Sequence, residues 1–118
     1  MKKYSCKFNS VNFDKRLNES KYIMDKYPDR IPVVVTKADN CKLNDIDKHK
    51  FLVPKDLKIS EFIHIIRKRV KLQPHEAIFV FINNILPPLS ERIIDIYENE
   101  KAKDNFLYVI YNSESVFG

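Results

Sequence analysis

The glycine content limits the chemistry open to this 118-residue sequence, because the chain has one glycine and it is the last residue, Gly118. Phosphate-binding loops of the Walker A type and dinucleotide-binding turns need backbone positions without a Cβ atom. The G-x-S-x-G turn that presents a nucleophilic serine needs such positions too. The sequence therefore excludes these nucleotide-binding and hydrolase motifs.

The cysteines and histidines are not spaced for metal binding. Cys6 and Cys41 lie 35 positions apart, with no C-x-x-C pair, and this spacing is not that of zinc ligands. His49, His64 and His75 are scattered and form no H-x-x-x-H pair. We expect two reduced thiols, no metal site and no cofactor.

The net charge of +5 is distributed unevenly along the chain. Residues 1–76 contain 18 basic and 10 acidic side chains, whereas residues 77–118 contain 3 basic and 6 acidic ones. A basic front favours an acidic partner, such as an acidic peptide, an anionic membrane or an acidic filament, although a solvated lysine-rich surface explains the same counts. No apolar run approaches the roughly 20 residues of a membrane span, and the basic start lacks the apolar segment of a secretory signal.

Apolar spacing predicts three helices, at 11–27, at 60–70 and after Ser90, with a short helical turn at 5–10. Ser60 and Ser90 are the expected N-caps of the second and third helices. The apolar stripe predicted for the first helix has these members: Phe13, Leu17, Ser20, Met24 and Tyr27.

Apolar and β-branched runs predict strands at 31–36, 50–53, 77–82 and 105–111, and the polar stretch 38–48 is expected to be a loop. The run at 77–82 is solidly apolar, which favours a central, buried strand. Asn83-Asn84 is expected to turn the chain after it.

The element order is helix, two strands, helix, strand, helix, strand, which predicts an α+β fold of the ubiquitin-like β-grasp type with additional N-terminal helices. We expect a single domain over 1–118. Its parts are a helical extension at 1–27, a β-grasp core at 28–111 and a flexible C-terminal tail at 112–118.

Several segments, in order and without gaps from about Phe13 onward, resemble the autophagy ubiquitin-like modifiers, a family that includes the GABA-receptor-associated protein. The segments are KYPDRIPV at 26–33, DKHKFLVP at 47–54, IRKR at 66–69, FINN at 81–84, LPP at 86–88 and ESVFG at 114–118. The resemblance implies a β-grasp domain with two additional N-terminal helices.

For function, the resemblance implies a substrate of conjugation and not an enzyme. Gly118 would be the lipid-conjugation residue, activated by one enzyme, transferred by a conjugating enzyme and joined to phosphatidylethanolamine. A cysteine protease would process or deconjugate the protein, and no residue follows Gly118. The lipidated protein would coat autophagosomes and other cytoplasmic vesicles, bind cargo receptors and possess a microtubule-binding surface, whereas the free form would be cytoplasmic.

The resemblance also implies a groove for acidic peptides of the form aromatic-x-x-aliphatic, which add a strand beside the second strand. Pocket one, for the aromatic residue, would be lined by Glu19, Ile23, Pro32, Lys50, Leu52 and Phe106. Pocket two, for the aliphatic residue, would be lined by Phe51, Val53, Pro54, Leu57, Phe62 and Ile65. Arg30, Lys48, Lys50 and Arg69 would attract the acidic residues.

Two other functions compete with conjugation. A non-lipidated adaptor would bind acidic peptides, the cytoskeleton or a membrane surface. A nucleic-acid-binding protein would use aromatic side chains interleaved with basic ones, such as Phe8, Phe13 and Tyr22. The aromatics fall at the spacing of a helix core, and no RNA-binding motif is present, so we expect no nucleic-acid partner.

Overall fold

The computed structural model describes residues 11–115, and it contains three helices and four strands. The predicted turn at 5–10 and Gly118 lie outside these residues. The elements in chain order are α1 (Phe13–Lys26), β1 (Arg30–Lys37), β2 (Lys50–Pro54), α2 (Ile59–Val70), β3 (Phe79–Phe81), α3 (Ile93–Glu100) and β4 (Leu107–Asn112). Within the described residues, no helix is long and apolar enough to span a bilayer.

The four strands form one mixed sheet in the order β2-β1-β4-β3. β1 and β2 form an antiparallel pair in which Val33 lies opposite Phe51. β1 and β4 are parallel, with Val35 opposite Val109, and the connection between such strands requires a crossover. The α+β, β-grasp-type architecture predicted from the element order is therefore confirmed for the described residues.

The core lies between one face of this sheet and helices α2 and α3. Alternate residues of β2 are buried, as a strand with one core face requires. In α2, three- and four-residue steps bring Ile59, Phe62, Ile66 and Val70 into the core. Burial raises the pKa of the α3 residue Tyr97, whose hydroxyl donates to the backbone oxygen of Asn105 at 2.7 Å.

The prediction of a central strand at 77–82 is wrong in position and length. β3 has three residues and lies at the edge of the sheet, because β4 enters between β3 and β1. Ala77 is exposed, whereas Ile82 leaves the ladder to pair with Ile85 across a tight turn. A run of apolar residues indicates that a strand is buried, but it does not indicate which strands lie beside it in the sheet.

Both predicted serine N-caps are also wrong, because the N-cap residues are Lys58 for α2 and Arg92 for α3. The backbone N–H groups of Ile59 and Ser60 donate to backbone carbonyls at 91 and 89, and those of Ile93 and Ile94 donate to carbonyls at 57 and 55. The first backbone N–H groups of each helix thus find their hydrogen-bond acceptors in the segment that precedes the other helix. A serine side chain is not needed for these N–H groups.

The chain uses asparagine and lysine where many proteins would use glycine. Four described residues have a positive φ: Lys71, Asn83, Asn84 and Asn105. Asparagine tolerates the left-handed region better than most residues because its short side chain bonds locally. The predicted turn at Asn83-Asn84 is confirmed as the two-residue connection between Ile82 and Ile85.

The polar stretch 38–48 is a loop, as predicted, but four of its side chains are buried: Ala38, Cys41, Leu43 and Ile46. Cys41 is a free thiol. Asn44 anchors the loop, because its backbone oxygen accepts from the Tyr111 hydroxyl at 2.6 Å and its Nδ2 donates to the Val70 carbonyl at 3.3 Å. The loop therefore covers the end of the core that lies beside the last residues of β4.

Candidate functional site

Helix α1 is held on the sheet by a buried polar cluster around Asp104, which is 2% exposed. Arg16 Nε donates to Asp104 Oδ2 at 2.9 Å, and Ser20 Oγ donates to the Asp104 backbone oxygen at 2.6 Å. Asp104 Oδ1 accepts from the Phe106 N–H at 3.0 Å, and Oδ2 also accepts from the Tyr108 hydroxyl. The hydrogen bond to Asp104 raises the pKa of Arg16 above its ordinary value.

The apolar stripe predicted for α1 is wrong at both ends. Phe13 and Tyr27 are 42% and 41% exposed, and Phe13 carries the Arg16 guanidinium over its ring at 5.5 Å. Ser20 is the fully buried residue of α1. The docking of this helix depends on hydrogen bonds to Asp104 more than on a continuous apolar stripe.

All six residues predicted for pocket one lie around the sheet face that α1 covers. Pro32 pairs with Leu52 in the β1–β2 ladder. Ile23 packs on the buried pair formed by Val34 and Phe106. The remaining two predicted residues are Glu19 and Lys50, which form the ion pair described next.

Pocket one is closed by an ion pair between α1 and β2. Lys50 Nζ lies 2.7 Å and 3.0 Å from the two carboxylate oxygens of Glu19 and 5.9 Å from the centroid of the Phe106 ring. The cavity behind this pair has a volume of about 10 Å³, which is roughly the space of one water molecule. This volume is too small for an aromatic side chain, so the side chains that line the cavity would have to move to admit one.

The residues predicted for pocket two divide into a buried floor and an accessible rim. Phe51, Val53 and Phe62 are buried, and the rings of the two phenylalanines meet edge to face with centroids 6.0 Å apart. Ile65 is 37% exposed. Pro54 is exposed and Leu57 is half-buried, so these three form the rim.

The predicted cations border both pockets. Lys48 Nζ lies 5.3 Å and the Arg69 guanidinium 5.9 Å from the centroid of the Phe51 ring. Arg69 also approaches Asp47 at 3.6 Å. Arg30 Nη1 donates to the Leu52 carbonyl at 3.4 Å. These side chains place positive charge along β2, which pairs with another described strand on one side only.

Four side chains that line this cavity were not predicted for pocket one: Val11, Arg16, Val34 and Tyr108. The alternation of strand side chains could have identified two of them, because Val34 is two residues from Pro32 and Tyr108 is two residues from Phe106. No local pattern identifies the pairing of Arg16 with Asp104, since 88 positions separate them.

Within residues 11–115, the site combines a strand edge with neighbouring side-chain pockets, and it contains no cluster of metal ligands. Across 11–115, no three histidine, cysteine or acidic side chains converge in a way that could hold an ion. The unpaired edge of β2 can accept the backbone of an added strand, and the two pockets beside it can accept alternate side chains.

Comparison with known proteins identifies the family. Residues 15–118 match the family described as "Autophagy protein Atg8 ubiquitin like". Autophagy-related protein 8 of Schizosaccharomyces pombe is 50% identical over 110 residues, which are 93% of this chain and 91% of that protein.

Two solved structures have the same fold. The crystal structure of Trypanosoma brucei ATG8 has a TM-score of 0.89 at 36% identity, covering 97% of this chain and 99% of that one. Plasmodium falciparum Atg8, solved in complex with a Plasmodium falciparum Atg3 peptide, has a TM-score of 0.88 at 35% identity, covering 96% and 99%. This chain belongs to the Atg8 family of ubiquitin-like autophagy proteins.

Proposed function

We propose that this protein is a modifier that is conjugated through Gly118 to phosphatidylethanolamine and acts on autophagosome membranes. In this function it promotes membrane growth and recruits cargo receptors that carry aromatic-x-x-aliphatic motifs. The observation that carries the proposal is the family match, which extends through residue 118 and so includes the only glycine of the chain.

The chain is the substrate of this chemistry, and other proteins are the enzymes. The Gly118 carboxylate attacks ATP on the activating enzyme and releases pyrophosphate, and a cysteine thiolate of that enzyme then displaces AMP. After transfer to the conjugating enzyme, the lipid amine displaces the thiol and forms an amide. A glycine carbonyl suits each displacement because no side chain hinders the attacking nucleophile.

This scheme implies as partners the activating and conjugating enzymes, a deconjugating cysteine protease and phosphatidylethanolamine membranes. The family resemblance adds cargo receptors and, as a further candidate, microtubules. The Atg3 peptide bound to the Plasmodium falciparum relative supports the conjugating enzyme as a partner. The free protein is cytoplasmic, and the lipidated form is on autophagosomes and other cytoplasmic vesicles.

A reconstituted reaction tests conjugation. The full chain is incubated with family activating and conjugating enzymes, ATP and phosphatidylethanolamine vesicles, and the product is separated by flotation. We expect a floating species whose mass equals the protein plus the lipid minus one water molecule. If no such species forms while the chain still binds an aromatic-x-x-aliphatic peptide, the protein is a non-lipidated adaptor and the conjugation proposal is wrong.

Substitutions at Leu52 and Lys50 test the peptide groove. Leu52 is 37% exposed in the free protein, so a peptide can bury about a third of a side chain whose full burial is worth roughly 1.5–3 kcal/mol. We expect Leu52→Ala to weaken binding about three- to sixfold. Lys50→Ala should weaken it less, because Lys50 must first leave Glu19, and its effect should be larger at low salt.

Titration calorimetry with an acidic aromatic-x-x-aliphatic peptide measures both effects. The matched control is Ile85→Ala, which removes an exposed aliphatic side chain at the β3 side of the sheet. Unchanged affinity in both groove variants, or equal loss in the control, would exclude this groove as the peptide site.

A further inference from the structure

Three contacts place the end of α2 and the start of the C-terminal tail at the same end of the molecule. Asn44 donates to the Val70 carbonyl and accepts from the Tyr111 hydroxyl. Phe79, the first residue of β3, pairs with Asn112, the last residue of β4. The segment that joins α2 to β3 therefore lies beside the point from which the tail leaves the sheet.

Three cationic side chains and one histidine occupy this end, outside the peptide groove. His64, Arg67, Lys68 and Lys71 line an open groove of about 360 Å³, together with Leu72 and Pro74. The four lie at steps of three and four along α2 and its C-cap, so they share one face of the helix. We call these four residues the terminal basic cluster.

The acidic side chains of the neighbouring loop do not neutralise this cluster. Asp47 pairs with Arg69, which faces Phe51 and the peptide groove, and Asp45 pairs with Lys37 at 3.3 Å. Within residues 11–115, no carboxylate forms an ion pair with any member of the terminal basic cluster.

Arg67 is held rigidly without losing its charge. Its two terminal nitrogens donate to the backbone carbonyls of Glu76 and Gln73 at 2.9 Å and 3.2 Å. The Glu76 carboxylate meanwhile accepts from the Gln73 N–H at 2.8 Å. Arg67 therefore fixes the α2–β3 connection and leaves a net positive groove beside it.

The helix dipole explains only part of the clustering of basic side chains at the end of α2. Cations in the last turn of α2 are favourable because the C-terminal end of a helix carries partial negative charge. Arg67 and Lys68, however, lie four and three residues before Lys71, and like charges at these spacings repel one another. Helix stability alone does not require the cations to gather on one face.

The length of the tail limits which surfaces the terminal basic cluster can contact. Gly118 lies six positions beyond Asn112, and an extended chain of that length spans at most about 20 Å. The molecule is 40 Å along its longest axis. A bilayer that holds Gly118 therefore lies within about 20 Å of Asn112, at which the tail leaves the end that bears the cluster.

We propose that the terminal basic cluster docks on the anionic lipid surface of the bilayer to which Gly118 is attached, and so orients the protein. This inference rests on the proposed lipid conjugation. The tail supplies a high local concentration of the bilayer, and each lysine near an anionic surface strengthens association about fivefold. An extended lipid surface fits the three cations Arg67, Lys68 and Lys71, spread along more than one helical turn, better than one small anion does.

A lysine footprint on vesicles tests this docking. Protein carrying Cys6→Ser and Gly118→Cys is coupled to a maleimide derivative of phosphatidylethanolamine, in phosphatidylcholine vesicles with or without about 20 mol% phosphatidylserine. Acetylation rates of single lysines are read by mass spectrometry. We expect phosphatidylserine to slow acetylation of Lys68 and Lys71 about fivefold, and high salt to remove the protection.

Lys55 and Lys103 are the internal controls, because they lie at the opposite end of the sheet, beside the first residues of β1 and β4. Their rates should not change. Lys68→Glu should abolish the protection of Lys71, whereas Lys55→Glu, with the same change in net charge, should retain it.

Three results would overturn the proposal: no effect of phosphatidylserine on Lys68 and Lys71, equal protection of Lys55 and Lys103, or protection by single-stranded RNA in place of vesicles. Because the tether is made chemically, these results do not depend on the conjugating enzymes. A failed enzymatic conjugation would leave the footprint intact and would overturn the proposed function alone.

Discussion

Deletion of Gly118 should abolish membrane attachment in the reconstituted reaction, and Gly118→Ala should reduce it at least about a hundredfold. The deletion moves the reacting carboxylate by one residue, and alanine adds a Cβ atom beside the carbonyl that each enzyme must present for attack. Small displacements of a reacting group have large kinetic effects. Flotation with the vesicles and mass spectrometry of the product measure the yield.

The folded domain should be unaffected by either change, because Gly118 lies six residues beyond β4. Circular dichroism and peptide affinity should match those of the unmodified protein. Glu114→Gln is a matched control, because it alters an exposed tail residue without touching the terminal carboxylate. Vesicle-bound product from the deletion variant would contradict the assignment of Gly118.

Asp104→Ala should destabilise the protein strongly, although Asp104 belongs to no apolar core cluster. The change removes the acceptor of bonds from Arg16, the Phe106 N–H and the Tyr108 hydroxyl, and it leaves buried donors without partners. We expect the free energy of unfolding to fall by about 3 kcal/mol. Denaturant titration followed by circular dichroism measures this fall.

The same substitution should weaken peptide binding, because α1 supplies Glu19 and Ile23 to pocket one and is fixed by Asp104. Asp95→Ala serves as the control, since Asp95 is an exposed carboxylate paired with Arg92 on α3. We expect the control to change stability by less than about 1 kcal/mol. Equal stability of the two variants would show that the Asp104 cluster does not hold α1.

Local patterns predicted the elements of this fold better than their arrangement. The β-branched run at 31–36 and the spacing of Phe62, Ile66 and Val70 identified β1 and α2, because burial on one face imposes a period on the sequence. The edge position of β3 was missed because strand order depends on contacts between distant segments. The serine N-caps failed for the same reason, since backbone carbonyls from the reciprocal segment satisfy the first N–H groups of α2 and α3.

What could be predicted of the candidate site differs between its two pockets. The family resemblance supplied six residues for pocket one, and the structure places them around one sheet face. Three of them line the cavity there, together with four side chains that were not predicted. The ion pair that closes the pocket joins Glu19 and Lys50 across 31 positions, so only the folded chain reveals it. In pocket two, Phe62 and Val53 are 1% and 3% exposed. An aliphatic ligand residue should therefore contact mainly the rim at Ile65, Leu57 and Pro54.

Mass spectrometry of the membrane-bound form isolated from cells tests the central claim most directly. The C-terminal peptide that contains Ser115 and Gly118 is released by proteolysis and sequenced by fragmentation. We predict that Gly118 carries phosphatidylethanolamine through an amide bond and that deconjugating protease restores the free carboxylate. Membrane-bound protein with an unmodified Gly118 carboxylate would contradict the account.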